Sequence, residues 1–297
     1  MTRKILWVLV SSLLVASLVL ASCGEAAPGE QEEEEEEEAP PAKVYKWRIQ
    51  SVWPAPAPAY FQSPSLEAFV DYCRRASNGR LDFQIFYPGM IVPAVESFEA
   101  VSKGVLEMTH LHAAYWMGKE LVGGLVMGLP YTFSNYKEMS VYFYELGFID
   151  IVREALAEHN IYYLGAYPSH HNTLLTTKPI RKVEDFKGLK LRALGLQAAV
   201  WDKAGASCVF LPGPDIYPSL EKGVIDGSMW AGPGGLWAMG FHEVTDYLLT
   251  PYPQMATSLD VLVNMDKWNE LPDDLKAIME GGAANILSRR QQHNHLY

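Results

Sequence analysis

Arg192 lies within the run FKGLKLRALG, residues 186–195, and its type and setting suit it for recognition chemistry. A guanidinium offers a planar fork that meets a carboxylate through two parallel hydrogen bonds. Here it ends an apolar strand pattern and is followed by Ala-Leu-Gly, where the chain turns. Two readings are open at this level: a clamp for an anionic ligand, or a surface arginine ending an edge strand. Histidines form a second group. His110 and His112 in HLH stand on one face of a strand, and His170 and His171 sit together in AYPSHHN. Four imidazoles could build a nitrogen-rich transition-metal site; the alternatives are hydrogen bonds to a ligand or the backbone, or simple surface exposure. His112, His171 and the adjoining Asn172 are the polar candidates for a ligand oxygen. Trp53, Tyr115, Trp116 and Trp230 each follow a strand pattern and are candidate walls, because small-molecule pockets are mostly apolar with a few placed polar groups. The sequence holds no G-x-S-x-G, no H-E-x-x-H and no phosphate loop, so no catalytic motif competes with a binding role.

The elements that must hold these residues read as α/β. YKWRIQSVW, residues 45–53, alternates as a strand does. SPSLEAFVDYCRRASNG, residues 63–79, repeats apolar positions at Leu66, Phe69, Val70 and Cys73 before an Asn-Gly stop, the pattern of an amphipathic helix. RLDFQIFYPG, VESFEAVSKG and VLEMTHLHAAYW continue as strand, helix and strand. A second unit starts near Ile161 with IYYLGAY and alternates again through CVFLP, PDIYPSLEKGVIDG and SMWAG. Such alternation implies parallel sheets. One phrase recurs, as KGVLE at 103–107 and KGVID at 222–226, each where a helix ends and the next strand begins. Shared helix-stop grammar explains it, since Lys suits the C-terminal dipole and Gly the left-handed stop. Ligands of open α/β sheets bind beyond the carboxyl ends of the strands. The residues after each phrase are therefore expected at a cleft between two lobes: His110, His112, Tyr115 and Trp116 in one, Met229 and Trp230 in the other.

Residues 1–22 read as a signal peptide, with Arg3 and Lys4 ahead of an apolar run from Ile5 to Leu20 that is short for a membrane span. LASC resembles a bacterial lipobox, which implies cleavage before Cys23 and a lipid on its sulfur, anchoring an exported protein to the membrane. Residues 23–43 include seven consecutive glutamates and read as an extended, disordered tether. The tether carries much of the charge. The chain has 24 Lys+Arg and 35 Asp+Glu, net −11, but the body from residue 44 holds 21 and 26. Without a basic patch, nucleic acid is not an expected partner. Cys73 and Cys208 could pair in an oxidising compartment; their separate helical and strand patterns favour two buried thiols.

FKGLKLRALG, LPGPDIYPSLEKGVIDG and WAGP followed by GFHEV, in order and at consistent spacing, resemble the solute-binding proteins of tripartite ATP-independent periplasmic (TRAP) transporters. The likeness is greatest to the branch that takes 2-oxo acids, lactate and related monocarboxylates. It runs from about Tyr45 to the end, and the family pattern continues past Tyr297, so a C-terminal segment is expected to be missing. The resemblance implies a two-lobed, periplasmic-binding-protein-like α/β fold (type II-like), each lobe a mainly parallel sheet flanked by helices. Residues 44–165 with about 257–297 would form one lobe and 166–256 the other. It implies a receptor and not an enzyme, with Arg192 clamping the ligand carboxylate and small and large membrane permease subunits as partners. A sensor partner is the alternative. In this branch the carboxylate shares a sodium or calcium ion with three protein ligands. At the matching positions stand Met229, Gln254 in PYPQM, and Pro168 or Ser169. No charged oxygen ligand remains there, and hard cations favour carboxylates, carbonyls and water. The expectation is a site without metal or other cofactor, and the Met sulfur implies a roomier pocket for a more apolar acid.

Overall fold

A computed structural model describes residues 42–53, 65–168, 171–211 and 213–293. The expected signal peptide, nearly all of the tether, Cys23 and His170 lie outside the described residues. Ten strands form two five-stranded sheets among the described residues. The first sheet contains β1 (Tyr45–Ser51), β2 (Leu81–Phe86), β3 (Met108–Leu111), β4 (Ile161–Pro168) and β10 (Ser258–Asn264), in the order β2-β1-β3-β10-β4. The second contains β5 (Thr173–Thr176), β6 (Lys190–Arg192), β7 (Ser207–Val209), β8 (Gly227–Trp230) and β9 (Tyr247–Leu248), in the order β7-β6-β8-β5-β9.

The two sheets share one plan. β1 runs parallel to β2 and β3, and β6 runs parallel to β7 and β8. A single reversed strand stands fourth in each, β10 in the first and β5 in the second, antiparallel to both of its neighbours. These reversed strands are the ones exchanged between sheets. β4, at the edge of the first sheet, leads into β5 of the second, and β9, at the edge of the second, leads into β10 of the first. The two connections pair as an antiparallel bridge, with Asn172 N–H on Gln254 O at 3.0 Å and Gln254 N–H on Asn172 O at 3.3 Å.

Both faces of each sheet are covered, as parallel-rich sheets require. On β10, Val261 enters a core with Trp47, Ile49, Phe69 and Phe83, while its neighbour Leu262 enters the opposite core with Trp116 and Phe143. Helix α1 (Ser65–Ala76) buries Leu66, Phe69, Val70 and Cys73 along one stripe, with Glu67 in its first turn and Arg74 and Arg75 in its last. Cys208 is partly exposed, and both thiols are free.

The repeated phrase occupies equivalent places in the two sheets. It follows α2 (Ser97–Ser102) before β3, and in the second sheet it joins a later helix to β8. Gly104 and Gly223 take φ of +70° and +65°, the left-handed stop. Val105 and Leu106 both donate to Ala100 O, at 2.8 and 3.1 Å; Val224 and Ile225 both donate to Ser219 O, at 2.9 and 3.3 Å. The acids match as well. Glu107 accepts the backbone N–H of Arg48 in β1 at 2.8 Å, and Asp226 that of Lys190 in β6 at 2.9 Å. Each acid also pairs with a basic side chain, Arg48 or Lys178. The phrase thus stops a helix and pins the strand beside it. Among the described residues no helix is long and apolar enough to cross a membrane.

Candidate functional site

Arg192 stands at the end of β6, opposite Val209 of β7 and Ser228 of β8. Leu191 before it enters the core, so strand alternation sends the guanidinium the other way. It is 2% exposed. Nε donates to Leu211 O at 3.1 Å, and Nη1 donates to Met229 O at 2.8 Å. Burial pushes its pKa down to about 10, with the Tyr115 phenol pulling the other way. It therefore stays charged at neutral pH. No carboxylate among the described residues pairs with it, and a buried charge without a counterion is costly.

The small cavity in front of it takes walls from both sheets and both connections. Trp53, His112 and Tyr115 come from the loops after β1 and β3. Met229 and Trp230 end β8, and Leu194 and Gln197 belong to the segment that leaves β6 and enters α3 (Gly195–Lys203). Asn172 and Thr257 come from the two connections. The guanidinium carbon lies 4.6 Å from the Trp230 ring centroid, within cation–π range. The Trp53 ring is tilted against Trp230 at 5.7 Å. Trp230 Nε1 is buried and has no hydrogen-bond partner among the described residues.

His112 caps the 3-10 turn Ala113–Tyr115, its Nδ1 accepting from Ala114 N–H at 3.2 Å. With Nδ1 an acceptor, Nε2 carries the proton and donates to Thr257 Oγ1 at 3.0 Å. Burial, and then the Arg192 charge, push its pKa down to about 4, so the ring is neutral.

Three amides form a second fixed unit. Gln254 is buried, and its Nε2 donates to the carbonyls of Met127 and Gly128 at 3.2 and 2.9 Å. Two carbonyls on Nε2 leave no doubt which end is oxygen. Oε1 accepts from Asn172 Nδ2 at 2.9 Å and from Gln197 Nε2 in a short contact. Asn172 and Gln197 must therefore present their N–H groups to Gln254. Both residues line the cavity, and their carbonyl oxygens are left without a protein donor among the described residues.

Of the residues singled out by sequence, His112, Tyr115, Asn172, Arg192, Met229, Trp230 and Trp53 line this cavity. Met229 does so with a side chain otherwise packed in the core of the second sheet. Trp116 is not a wall. The turn after His112 breaks the strand alternation, and Trp116 is fully buried in the first sheet's core, donating to Asp260 Oδ2 at 3.1 Å. His110 is also turned into the protein, with Nδ1 3.2 Å from Ser51 Oγ. His171 holds the connections together through Met255 O and stacks on Tyr136 at 5.9 Å. Gln254 stands behind the cavity and not in its wall. Among the described residues no three His, Cys, Asp or Glu side chains gather to hold a metal ion, so the imidazole cluster does not form there. Gln197, Thr257 and Leu194 were not anticipated. The available signal for Gln197 was its place two residues into the helix that follows Arg192.

Residues 55–296 match the family described as bacterial extracellular solute-binding protein, family 7. A monocarboxylate 2-oxoacid-binding periplasmic protein of Nostoc sp. is 27% identical over 238 residues, which are 79% of this chain. The matched part spans 64% of that relative's length. A TRAP periplasmic solute-binding protein from Pseudoalteromonas atlantica, solved with bound sodium and pyruvate, superposes with a TM-score of 0.77 at 28% identity, covering 86% of this chain and 78% of that one. One from Colwellia psychrerythraea, with bound calcium and pyruvate, gives 0.76 at 27% identity, covering 84% and 77%. These two structures overturn the expectation of a site without metal. That expectation counted only charged ligands, whereas the two amide oxygens freed by Gln254 are donors of the kind hard cations accept. With the family match covering most of its length, and with solved relatives of that family superposing over most of the chain, the chain belongs to the DctP family of TRAP solute-binding proteins.

Proposed function

We propose that this protein is an exported receptor that captures a small monocarboxylate on Arg192 and delivers it, chemically unchanged, to a membrane permease. The observation that carries the reading is the buried guanidinium: charged, facing a cavity, and without a carboxylate partner among the described residues. Two of its N–H groups are held by Leu211 and Met229 carbonyls, which fix the fork and leave other donors for a ligand. The 2-oxo acid ligands named for similar proteins have the carboxylate this site calls for. In this reading residues 44–165 with about 257–297 form one lobe and 166–256 the other, although β4 of the first sheet runs on to Pro168, three residues past that boundary. Residues 1–22 direct export, and a lipid on Cys23 with the acidic tether holds the receptor at the membrane.

The cavity also suits a hard cation beside the carboxylate. Asn172, Gln197 and Thr257 would hold it through neutral oxygens, and it would add positive charge next to the ligand's own negative charge.

Calorimetric titration with pyruvate tests the clamp. Arg192→Ala should weaken binding by about 2–5 kcal/mol while circular dichroism stays native. Near-native affinity in that variant would remove Arg192 from the ligand site.

A further inference from the structure

Two adjacent glycines weaken a helix, so Gly123 and Gly124 in the short helix Val122–Met127 call for a packing reason. Each has one, on a different side. A Cβ at Gly123 would lie 2.8 Å from the Cα of Met117 and 2.8 Å from the Trp116 ring, both on the side of the first sheet. A Cβ at Gly124 would lie 2.6 Å from Cδ1 and 3.2 Å from Cγ of Leu196, which arrives from the side of the second sheet. Leu196 stands in the first turn of α3. Ala198 and Trp201 of the same helix pack in the core of the second sheet, whereas Leu196 packs against the core of the first. Gly195 extends the fit: its φ is +53°, and a Cβ there would collide with Met117 Sδ. A helix of the second sheet thus sends one apolar knob into a notch that glycine opens in the first. The Leu196 side chain is not part of the Arg192 cavity wall.

We propose that Leu196 is a positioning residue that latches the two sheets together: seated in the Gly124 notch, it sets how long the receptor holds a ligand that it does not touch. The chain crosses between the sheets twice, so the two halves can rotate about those connections. Because α3 packs on the second sheet, it moves with that sheet. A rotation that separates the halves draws Leu196 out of the notch and exposes its apolar surface to water, which costs free energy whatever the ligand is. Release therefore includes a step set by the protein's own packing. The helix that carries the notch is held from the other side by Gln254, which donates to the carbonyls of Met127 and Gly128, and Tyr131 N–H donates to Pro253 O at 2.6 Å. These bonds come from the connection about which the halves turn, so they keep the notch in place while Leu196 enters or leaves it. The proposal rests on the receptor reading for its ligand, but the knob and its notch stand without it.

The experiment uses the full chain, Gly124→Ala, Leu196→Ala and the double variant. Stopped-flow fluorescence follows pyruvate binding and release, and small-angle scattering follows the ligand-free shape. Alanine suits a helix better than glycine, and Leu196 is only partly buried, so both changes spare the fold, which circular dichroism checks. Each single variant should speed pyruvate dissociation about tenfold, keep association within about twofold, and enlarge the ligand-free radius of gyration. Leu196→Ala removes the atoms that a Cβ at position 124 would meet. Dissociation from the double variant should therefore stay within about threefold of Leu196→Ala alone, and not reach the roughly hundredfold that two independent losses would give. Additive losses in the double variant, or a radius of gyration unchanged in both single variants, overturn the latch. If the unaltered protein does not bind pyruvate, the ligand reading fails, and the radius of gyration still decides the latch.

Discussion

The guanidinium of Arg192 lies over the face of Trp230, 4.6 Å from its ring centroid, while its Nη1 is held by the carbonyl of Met229, the residue just before that ring. Consecutive residues at the end of β8 therefore fix the cation in two ways, through a carbonyl and through a π-face. Trp230 has one polar atom, Nε1, and it is buried without a hydrogen-bond partner among the described residues. In the proposed carboxylate complex, a ligand oxygen on Arg192 would give that N–H an acceptor. Trp230→Phe keeps a ring under the guanidinium and removes only the donor, so carboxylate binding should weaken by about 1 kcal/mol. Trp230→Ala removes the ring as well and should weaken it further. Unchanged affinity in Trp230→Phe would mean that the indole N–H does not meet the ligand.

Gln254 bonds across the protein with all of its polar capacity: two carbonyls on Nε2 and two amides on Oε1. Met127 and Gly128 follow β3 in the chain, whereas Gln197 follows β6, so this side chain ties elements of both sheets at the bridge between their connections. Gln254→Leu is close in size but leaves buried carbonyls and N–H groups unpaired. It should lower unfolding stability by roughly 2–4 kcal/mol. Gln254→Glu cannot donate to the carbonyls of Met127 and Gly128 and should be similarly destabilised above the carboxylate's pKa. Denaturant unfolding checks both; a loss below about 0.5 kcal/mol in Gln254→Leu would show that the network is replaced by water.

The cation reading depends on the same amides. With the N–H groups of Asn172 and Gln197 held by Gln254 and both residues in the cavity lining, a hard cation on their oxygens should strengthen pyruvate binding. Exhaustive dialysis against chelator in sodium-free buffer should reduce the affinity, and added Ca²⁺ or Na⁺ should restore it. Asn172→Ala should reduce the size of this restoration. Binding that is indifferent to both ions would leave Arg192 as the whole electrostatic basis of capture.

Much of this site was legible because helices end where the next strand begins. KGVLE and KGVID located the starts of β3 and β8, whose far ends carry site residues, and Arg192 ended a strand beside β8. Trp116 was misplaced because strand alternation was carried four residues past His112, into a 3-10 turn that has a different period. The amide unit was not readable. Gln254 is 82 residues from Asn172 and 57 from Gln197, and only the exchange of strands between sheets brings them together. The metal expectation failed for a related reason. It asked which positions bear charge, and the orientation of a neutral amide oxygen is set by whatever holds its N–H, here Gln254.

Two buried groups near the crossing strands should impose opposite pH dependences. Asp260, on β10, accepts from Tyr163 at 2.9 Å, Trp116 at 3.1 Å and Ser258 at 3.2 Å, yet burial dominates and pushes its pKa up to about 7, from 3.8. The folded state then binds the proton more tightly than the unfolded chain, so its stabilisation is complete below about pH 4 and is lost as pH rises to about 7. His112 is pushed the other way, from 6.5 to about 4. The unfolded chain binds that proton more tightly, so stabilisation is present above about pH 6.5 and is lost as pH falls to about 4. In the unaltered protein the two slopes largely cancel between about pH 4 and 6.5. Separating them exposes each. Asp260→Asn should leave a protein whose stability rises with pH across that window, and His112→Gln one whose stability falls, each by at most about 1.4 kcal/mol per pH unit. Urea unfolding at intervals from pH 4.5 to 7.5 gives both slopes directly. Parallel pH profiles for the two variants would show that neither group titrates in the folded state where its burial places it.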